Sequence, residues 1–306
     1  MLSSVSAATS WWSLPSARLR EGPGERAGLT NPQEIAHPDG HDYVRGSPHL
    51  KHPDLRARID ASLRREVERI RARDGRCRVL EVGAGHGTFT AVLRRAGASV
   101  TVTEMSAPST AYLRRTYSND PGVDVVADPD GSWVFATDER FDLVVAISVL
   151  HHIPDYLAAV ARYADVTEPG GAFISWQDPA WYSRVPRRTL LASRWAYLAW
   201  RLGQGNFALG FATRIRRLRG VLDETNVSDM SEYHVVRQGV DEDALTSLLQ
   251  QRYEETTTTM YWSSQARPLH RIGLRLGLGG TFSLLARDRL PGQPQPAGGG
   301  PSATTT

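Results

Sequence analysis

The sequence predicts an α/β fold with a doubly wound sheet. Two observations carry this. At Arg78–Val82 a short apolar strand runs into glycines at 83, 85 and 87, and a segment of helical period follows, with Phe89, Val92, Leu93 and Ala96 on one face. Beyond it, apolar runs of strand length recur at 99–103, Val123–Ala127, 141–148 and 172–176. Size agrees: 306 residues with 41% hydrophobic content suit one α/β domain with extensions.

The elements follow in order. Residues 1–40 mix Ser, Ala, Gly and Pro without periodicity and read as a flexible segment, with Trp11 and Trp12 as its oddity. Residues 54–72 form a basic amphipathic helix with Leu55, Ile59, Leu63, Val67 and Ile70 on one face. The first strand and its glycines start a nucleotide-binding unit, because the backbone there must turn tightly and approach a ligand without Cβ in the way. The spacing is G-x-G-x-G, with Thr88 where the dinucleotide fingerprint has its last glycine, and Glu81 stands two residues before Gly83. A carboxylate there repels a pyrophosphate. It suits a ligand with an ammonium and a sulfonium, which describes S-adenosylmethionine (SAM). The turn residues Gly83, Ala84, Gly85 and Gly87 would line its site.

The second strand, 99–103, ends in Glu104, nineteen residues after Gly85, the spacing at which an acid bonds ribose hydroxyls. Met105 follows, where an apolar side chain can lie against adenine. The third strand, Val123–Ala127, ends in Asp128, either an acceptor for the adenine amino group or an acidic turn residue in Asp-Pro-Asp-Gly. The fourth, 141–148, leads through 149–155 into a helix with Leu157, Val160, Ala161 and Ala164 on one face. Glu168, Pro169, Gly170 and Gly171 then turn the chain into the fifth strand, 172–176.

With these segments in view the chain resembles the class I SAM-dependent methyltransferases of the small-molecule kind. V-L-E-V-G-A-G-H-G, T-V-T-E-M, F-D-L-V-V-A-I-S-V-L-H-H-I-P-D and E-P-G-G-A-F-I carry the likeness, over about residues 75–178. The resemblance implies a Rossmann-like seven-stranded sheet, a SAM site at the carboxyl ends of its first strands with Ser148 in the cofactor set, and methyl transfer to a nucleophile. It also implies that the segment before the first helix folds over the site, making Tyr43 a cofactor residue and His49 a substrate residue. Methyl transfer needs mainly positioning and a dry site. A hydroxyl acceptor gains from a general base, and the candidates are His151 and His152 after strand four and Asp178 after strand five. Some quinone-type O-methyltransferases carry metal-binding carboxylates in this loop. Ser148 and His151 hold the matching positions here, so no metal is expected.

Further on, Asp241 caps a helix bearing Leu245, Leu248 and Leu249. Strands at 253–262 and 281–287 are the expected antiparallel pair. The helical insertion after strand five, about 179–240, is long, aromatic and Arg-rich. It is expected to build the acceptor pocket, with Trp181 and Tyr182 as substrate residues. Its arginines also permit an anionic acceptor, contact with a membrane surface around 190–218, or, least favoured, RNA. The net charge of only +3 does not favour nucleic acid. The domain expected is 41–290, with 291–306 a disordered tail.

The single Cys77 excludes an internal disulfide and a cysteine-rich zinc site. No apolar run approaches ~18–20 residues and no signal peptide is visible, so a cytoplasmic protein is expected. Oligomeric state is not indicated. The function expected is SAM-dependent O-methylation of a small molecule, a specialised or secondary metabolite. The alternatives are a SAM-fold scaffold that binds or rearranges without methyl transfer, and a methyltransferase acting on RNA or another macromolecule.

Overall fold

Seven strands form one sheet in the order β3-β2-β1-β4-β5-β7-β6. The computed structural model describes residues 47–203 and 239–291; the expectations for 1–40, Tyr43 and 292–306 lie outside them. The strands are β1 (Arg78–Val82), β2 (Ser99–Glu104), β3 (Val123–Ala127), β4 (Phe141–Ile147), β5 (Thr167–Pro179), β6 (Tyr253–Tyr261) and β7 (Thr281–Arg289). The first five run parallel, and β7 lies antiparallel between β5 and β6. The strand order reverses between β1 and β4, which opens a crevice at their carboxyl ends where ligands of such sheets bind.

The two faces are sorted residue by residue, as the period of two requires. Val79, Leu143, Val145 and Ile174 point to one side, against helices α1 (Pro48–Lys51), α2 (Pro53–Asp74), α3 (Thr90–Arg95) and α4 (Ala107–Thr116). Leu80, Val144, Ala146 and Phe173 point to the other, against α5 (Trp133–Ala136), α6 (Tyr156–Val166) and, beyond α7 (Arg187–Gly203), α8 (Glu242–Gln250). The five apolar residues predicted for the first long helix are all at most 2% exposed on α2, each contributing about 1.5–3 kcal/mol of burial. Asp241 caps α8 as expected, its side chain accepting from Ala244 N.

Three expectations are corrected. The helix after the glycines is only Thr90–Arg95, because the turn itself runs on to residue 89. The turn expected at 168–171 lies inside β5: Phe141 pairs with Thr167 and Leu143 with Ala172, so the extra residues loop out as an irregularity without ending the strand. β5 also continues past Trp176 to Pro179 through a second register shift. The start of the insertion joins the body: Val185 enters the main core, and Ala196 of α7 packs with Trp262 and Leu278 beside α9 (Arg267–Arg275), a helix the sequence reading did not anticipate.

Candidate active site

The glycine turn sits at the carboxyl end of β1, and Gly83, Gly85 and Gly87 all hold positive φ, at 64°, 57° and 73°. At Gly83 a Cβ would also stand 2.8 Å from the Val149 side chain, so the turn has no room for another residue. Around it lie two buried carboxylates. Glu81 accepts from the Thr90 hydroxyl at 2.6 Å. Burial pushes its pKa up to about 8; the Thr90 bond opposes this and the nearby Glu104 charge adds to it. Glu104 accepts from Gly85 N at 2.8 Å and Ser106 N at 2.9 Å, so it pins the glycine turn to the end of β2. Burial raises its pKa too, against the pull of those two backbone donors.

Glu81, Gly83 and Ala84 line one cleft with Thr88 and Phe89, and His49 and Leu50 of α1 line it too. The sequence reading gave His49 as a substrate residue; in the structure it lines the cleft together with Glu81, Gly83 and Ala84. Met105 is half-buried beside Glu104. Ser148 follows β4 with φ 61° and donates its N–H to Trp176 O at 2.7 Å. The Asp128 carboxylate accepts from Trp133 N at 3.0 Å, so it also fastens the loop into α5.

A second cluster stands at the ends of β4 and β5. Asp178 is wholly buried, and its Oδ1 meets His151 Nδ1 at 2.8 Å and the His151 backbone N at 3.2 Å. Its Oδ2 accepts from Ser175 Oγ at 2.8 Å. Burial lifts the Asp178 pKa to about 6, opposed by the Ser175 and His151 bonds, so it is mainly ionised at neutral pH. An ionised Asp178 fixes the imidazole proton on Nδ1 and leaves Nε2 as the basic nitrogen. The His152 ring lies against His151 at 3.9 Å between centroids.

Thr90 and Ser175 were missed by the sequence reading. In a regular strand residues 175 and 178 face opposite sides. The shift between Trp176 and Asp178, with Gln177 at φ 71°, puts both on one side. Trp181 and Tyr182 are half-buried just beyond β5, and Trp181 N donates to Glu242 Oε2 at 2.9 Å. Cys77 is buried, its thiol pushed up to about 12 by burial, so it is no nucleophile. Among the described residues no group of three or more His, Cys, Asp or Glu could hold a metal, and no helix is long and apolar enough to cross a membrane.

Residues 55–226 match the family model described as a methyltransferase domain. Among curated proteins, the ubiquinone biosynthesis O-methyltransferase of Methylobacterium sp. (strain 4-46) is 34% identical over 98 residues, 32% of this chain and 39% of that protein. The protein of the same name from Serratia proteamaculans (strain 568) is 33% identical over 113 residues, 35% of this chain and 46% of that one. The chain thus spans less than half the length of these relatives. Among solved structures, the N-methyltransferase NodS from Bradyrhizobium japonicum WM9, in complex with S-adenosyl-L-homocysteine, is 18% identical, with a TM-score of 0.47 over 86% of this chain and 100% of that one.

Proposed function

The chain belongs to the methyltransferase-domain family, and on that premise we propose that it is a SAM-dependent methyltransferase acting on a hydroxyl oxygen of a small molecule, a specialised metabolite. The observation that carries the reading is the glycine turn flanked by two buried carboxylates, Glu81 and Glu104, with no Lys or Arg among the described residues that line the cleft. That pair of acceptors disfavours phosphate and fits a ligand that is cationic at one end and carries ribose hydroxyls. When bound, the cofactor supplies a methyl group made electrophilic by its sulfonium.

The residues of this chain then divide the work. Glu104 would hold the ribose hydroxyls with lone pairs its backbone donors leave over, and it keeps the glycine turn in place. Glu81 would hold the ammonium. Met105 and Asp128 would flank the adenine, the carboxylate with its second oxygen. His151, oriented by Asp178, would take the proton of the acceptor hydroxyl. The O-methyltransferase names of the curated relatives support oxygen as the acceptor atom. Trp181 and Tyr182, half-buried just beyond β5, would contact the acceptor.

The test is calorimetric titration with SAM and S-adenosylhomocysteine (SAH). Transfer of labelled methyl from SAM to a panel of phenols, alkyl alcohols, amines and bulk tRNA follows. Binding with transfer to a small hydroxyl compound is expected. Binding with no transfer to any acceptor would favour a scaffold, and label in tRNA alone would overturn the small-molecule reading.

A further inference from the structure

Gln177 is the extra residue in β5. Trp176 pairs with Ser283 of β7 and Asp178 with Phe282, so Gln177 has no place in that ladder. Its φ is 71°, in the left-handed region that a residue with a Cβ adopts only at a cost. Such conformations persist where the surroundings hold them, and they gather at functional sites. The holding contacts are at the far end of the side chain. Its Nε2 donates to Ser263 Oγ at 2.7 Å, and its Oε1 accepts from the Tyr261 hydroxyl at 3.1 Å. Tyr261 closes β6 and Ser263 stands two residues beyond, so the amide reaches past β7 to the outermost strand of the sheet. Tyr261 is itself fixed. It is 4% exposed, pairs with Thr281 of β7, tilts against the Trp176 ring at 5.5 Å between centroids, and carries Arg58 of α2 over its face at 5.9 Å.

The side chains of a strand alternate, so one residue more or fewer in the ladder turns every later position to the other face. Drawn into the ladder, Gln177 would leave Asp178 facing away from Ser175. Held out of it, Asp178 receives Ser175 Oγ on Oδ2 and meets the His151 backbone N and Nδ1 on Oδ1. We propose that Gln177 is a positioning residue for His151: its amide, gripped by Tyr261 and Ser263, holds β5 in the bulged register that aims Asp178 at the imidazole and so sets the tautomer. The inference rests on the reading of His151 as the base and deepens it, by tying the Asp178–His151 pair to the end of β6. The two registers are discrete, so the grip selects one and does not merely tune a distance.

The experiment is long-range proton–nitrogen NMR of the full chain with isotopically labelled histidine at pH 8, without cofactor or acceptor. Nitrogen shifts separate a protonated from a bare ring nitrogen, and the His151 signals are assigned by their loss in His151→Ala. The unaltered protein should show the Nδ1–H tautomer. Asp178→Ala, which removes the acceptor, should move His151 toward the Nε2–H tautomer and marks the full loss. Gln177→Val, whose branched side chain favours a regular strand and carries no amide, should move it as far. Tyr261→Phe combined with Ser263→Ala keeps Gln177 and the shape of its partners but removes both hydroxyls, and should move it in the same direction. That double variant decides alone if Gln177→Val does not fold. A merely structural role would lower the melting temperature of these variants and leave the tautomer as it was. An unchanged Nδ1–H tautomer in folded Gln177→Val or in the double variant would therefore overturn the proposal. An unchanged tautomer in Asp178→Ala would overturn the orientation of His151 by Asp178, and the proposal with it. The readout involves no turnover, so near-normal turnover in His151→Ala would overturn the base reading alone.

Discussion

Asp178 concentrates the residue-scale chemistry, since one buried carboxylate receives His151 and Ser175 together. If His151 is the base, Asp178→Asn should lower turnover at saturating SAM by about a hundredfold or more, because the amide no longer fixes the imidazole tautomer. His151→Ala should lose as much and flatten the rising limb of the pH profile. His152→Ala, which removes the neighbouring ring, should cost stability more than turnover. Near-normal turnover in both His151→Ala and Asp178→Asn would leave transfer to positioning alone. Glu104 gives an independent prediction. Glu104→Ala strips the acceptor from Gly85 N and Ser106 N and should weaken SAH binding about tenfold to a hundredfold, about 1.5–3 kcal/mol, by calorimetry. Glu81, the glycines and Glu104 were legible because fixed spacings along strand, turn and strand bring them together. The Ser175–Asp178 bond was not, because it depends on an extra residue at Gln177 that breaks the strand period without a glycine to announce it.

Elements hold together through groups the patterns hid. α2 reads as a plain amphipathic helix, yet Glu66 on its buried side is 1% exposed. It accepts from Arg69 Nε at 2.9 Å and from Arg287 Nε of β7 at 3.0 Å, which holds its carboxyl below the usual range against the cost of burial. The two arginines keep about 30% exposure, so water softens the loss of their partner. Glu66→Ala should cost about 2–3 kcal/mol by denaturant unfolding, short of the 3–5 of a fully buried pair. A cost below ~1 kcal/mol would show that apolar packing alone fixes α2 on the sheet. At the other edge, Gly273 of α9 lies so close to Trp262 that an added Cβ would stand 2.3 Å from the indole. Gly273→Ala should therefore lower the melting temperature even though alanine favours helices. Neither contact is visible in sequence: Glu66 meets Arg287 across more than two hundred residues, and the Gly273–Trp262 approach depends on how the loop after β6 folds back.

For the whole molecule, sequence reading recovered the parallel strands and the antiparallel last pair, because each strand is a local apolar run and the motifs come in a fixed order. It did not place the segment after β6 against α1, a seam made of His52, His270 and Ser264. That seam and the β1 end leave buried titratable groups in the protein, and they set its pH dependence. Burial lowers the His49 and His270 pKa values to about 4 from an unfolded value near 6.5, and the charged neighbours Arg56 and His52 add to it. Their contribution is complete above pH 6.5 and is lost as pH falls toward 4, where the folded protein must bury imidazolium. Glu81 works in the opposite direction: its pKa is raised from 4.5 to about 8, so stability tied to the neutral acid is present below 4.5 and lost as pH rises through 8. Between pH 6.5 and 8 these two histidines are constant while Glu81 changes. The melting temperature of the ligand-free protein should therefore fall from pH 6.5 to 8.5, and Glu81→Gln should remove most of that fall. On the acid side, His270→Phe should flatten the decline between pH 6.5 and 4 without touching the alkaline limb. Scanning calorimetry of the three proteins across pH 4–9 decides it. An alkaline limb that survives in Glu81→Gln would mean that Glu81 is already ionised and paired in the empty site.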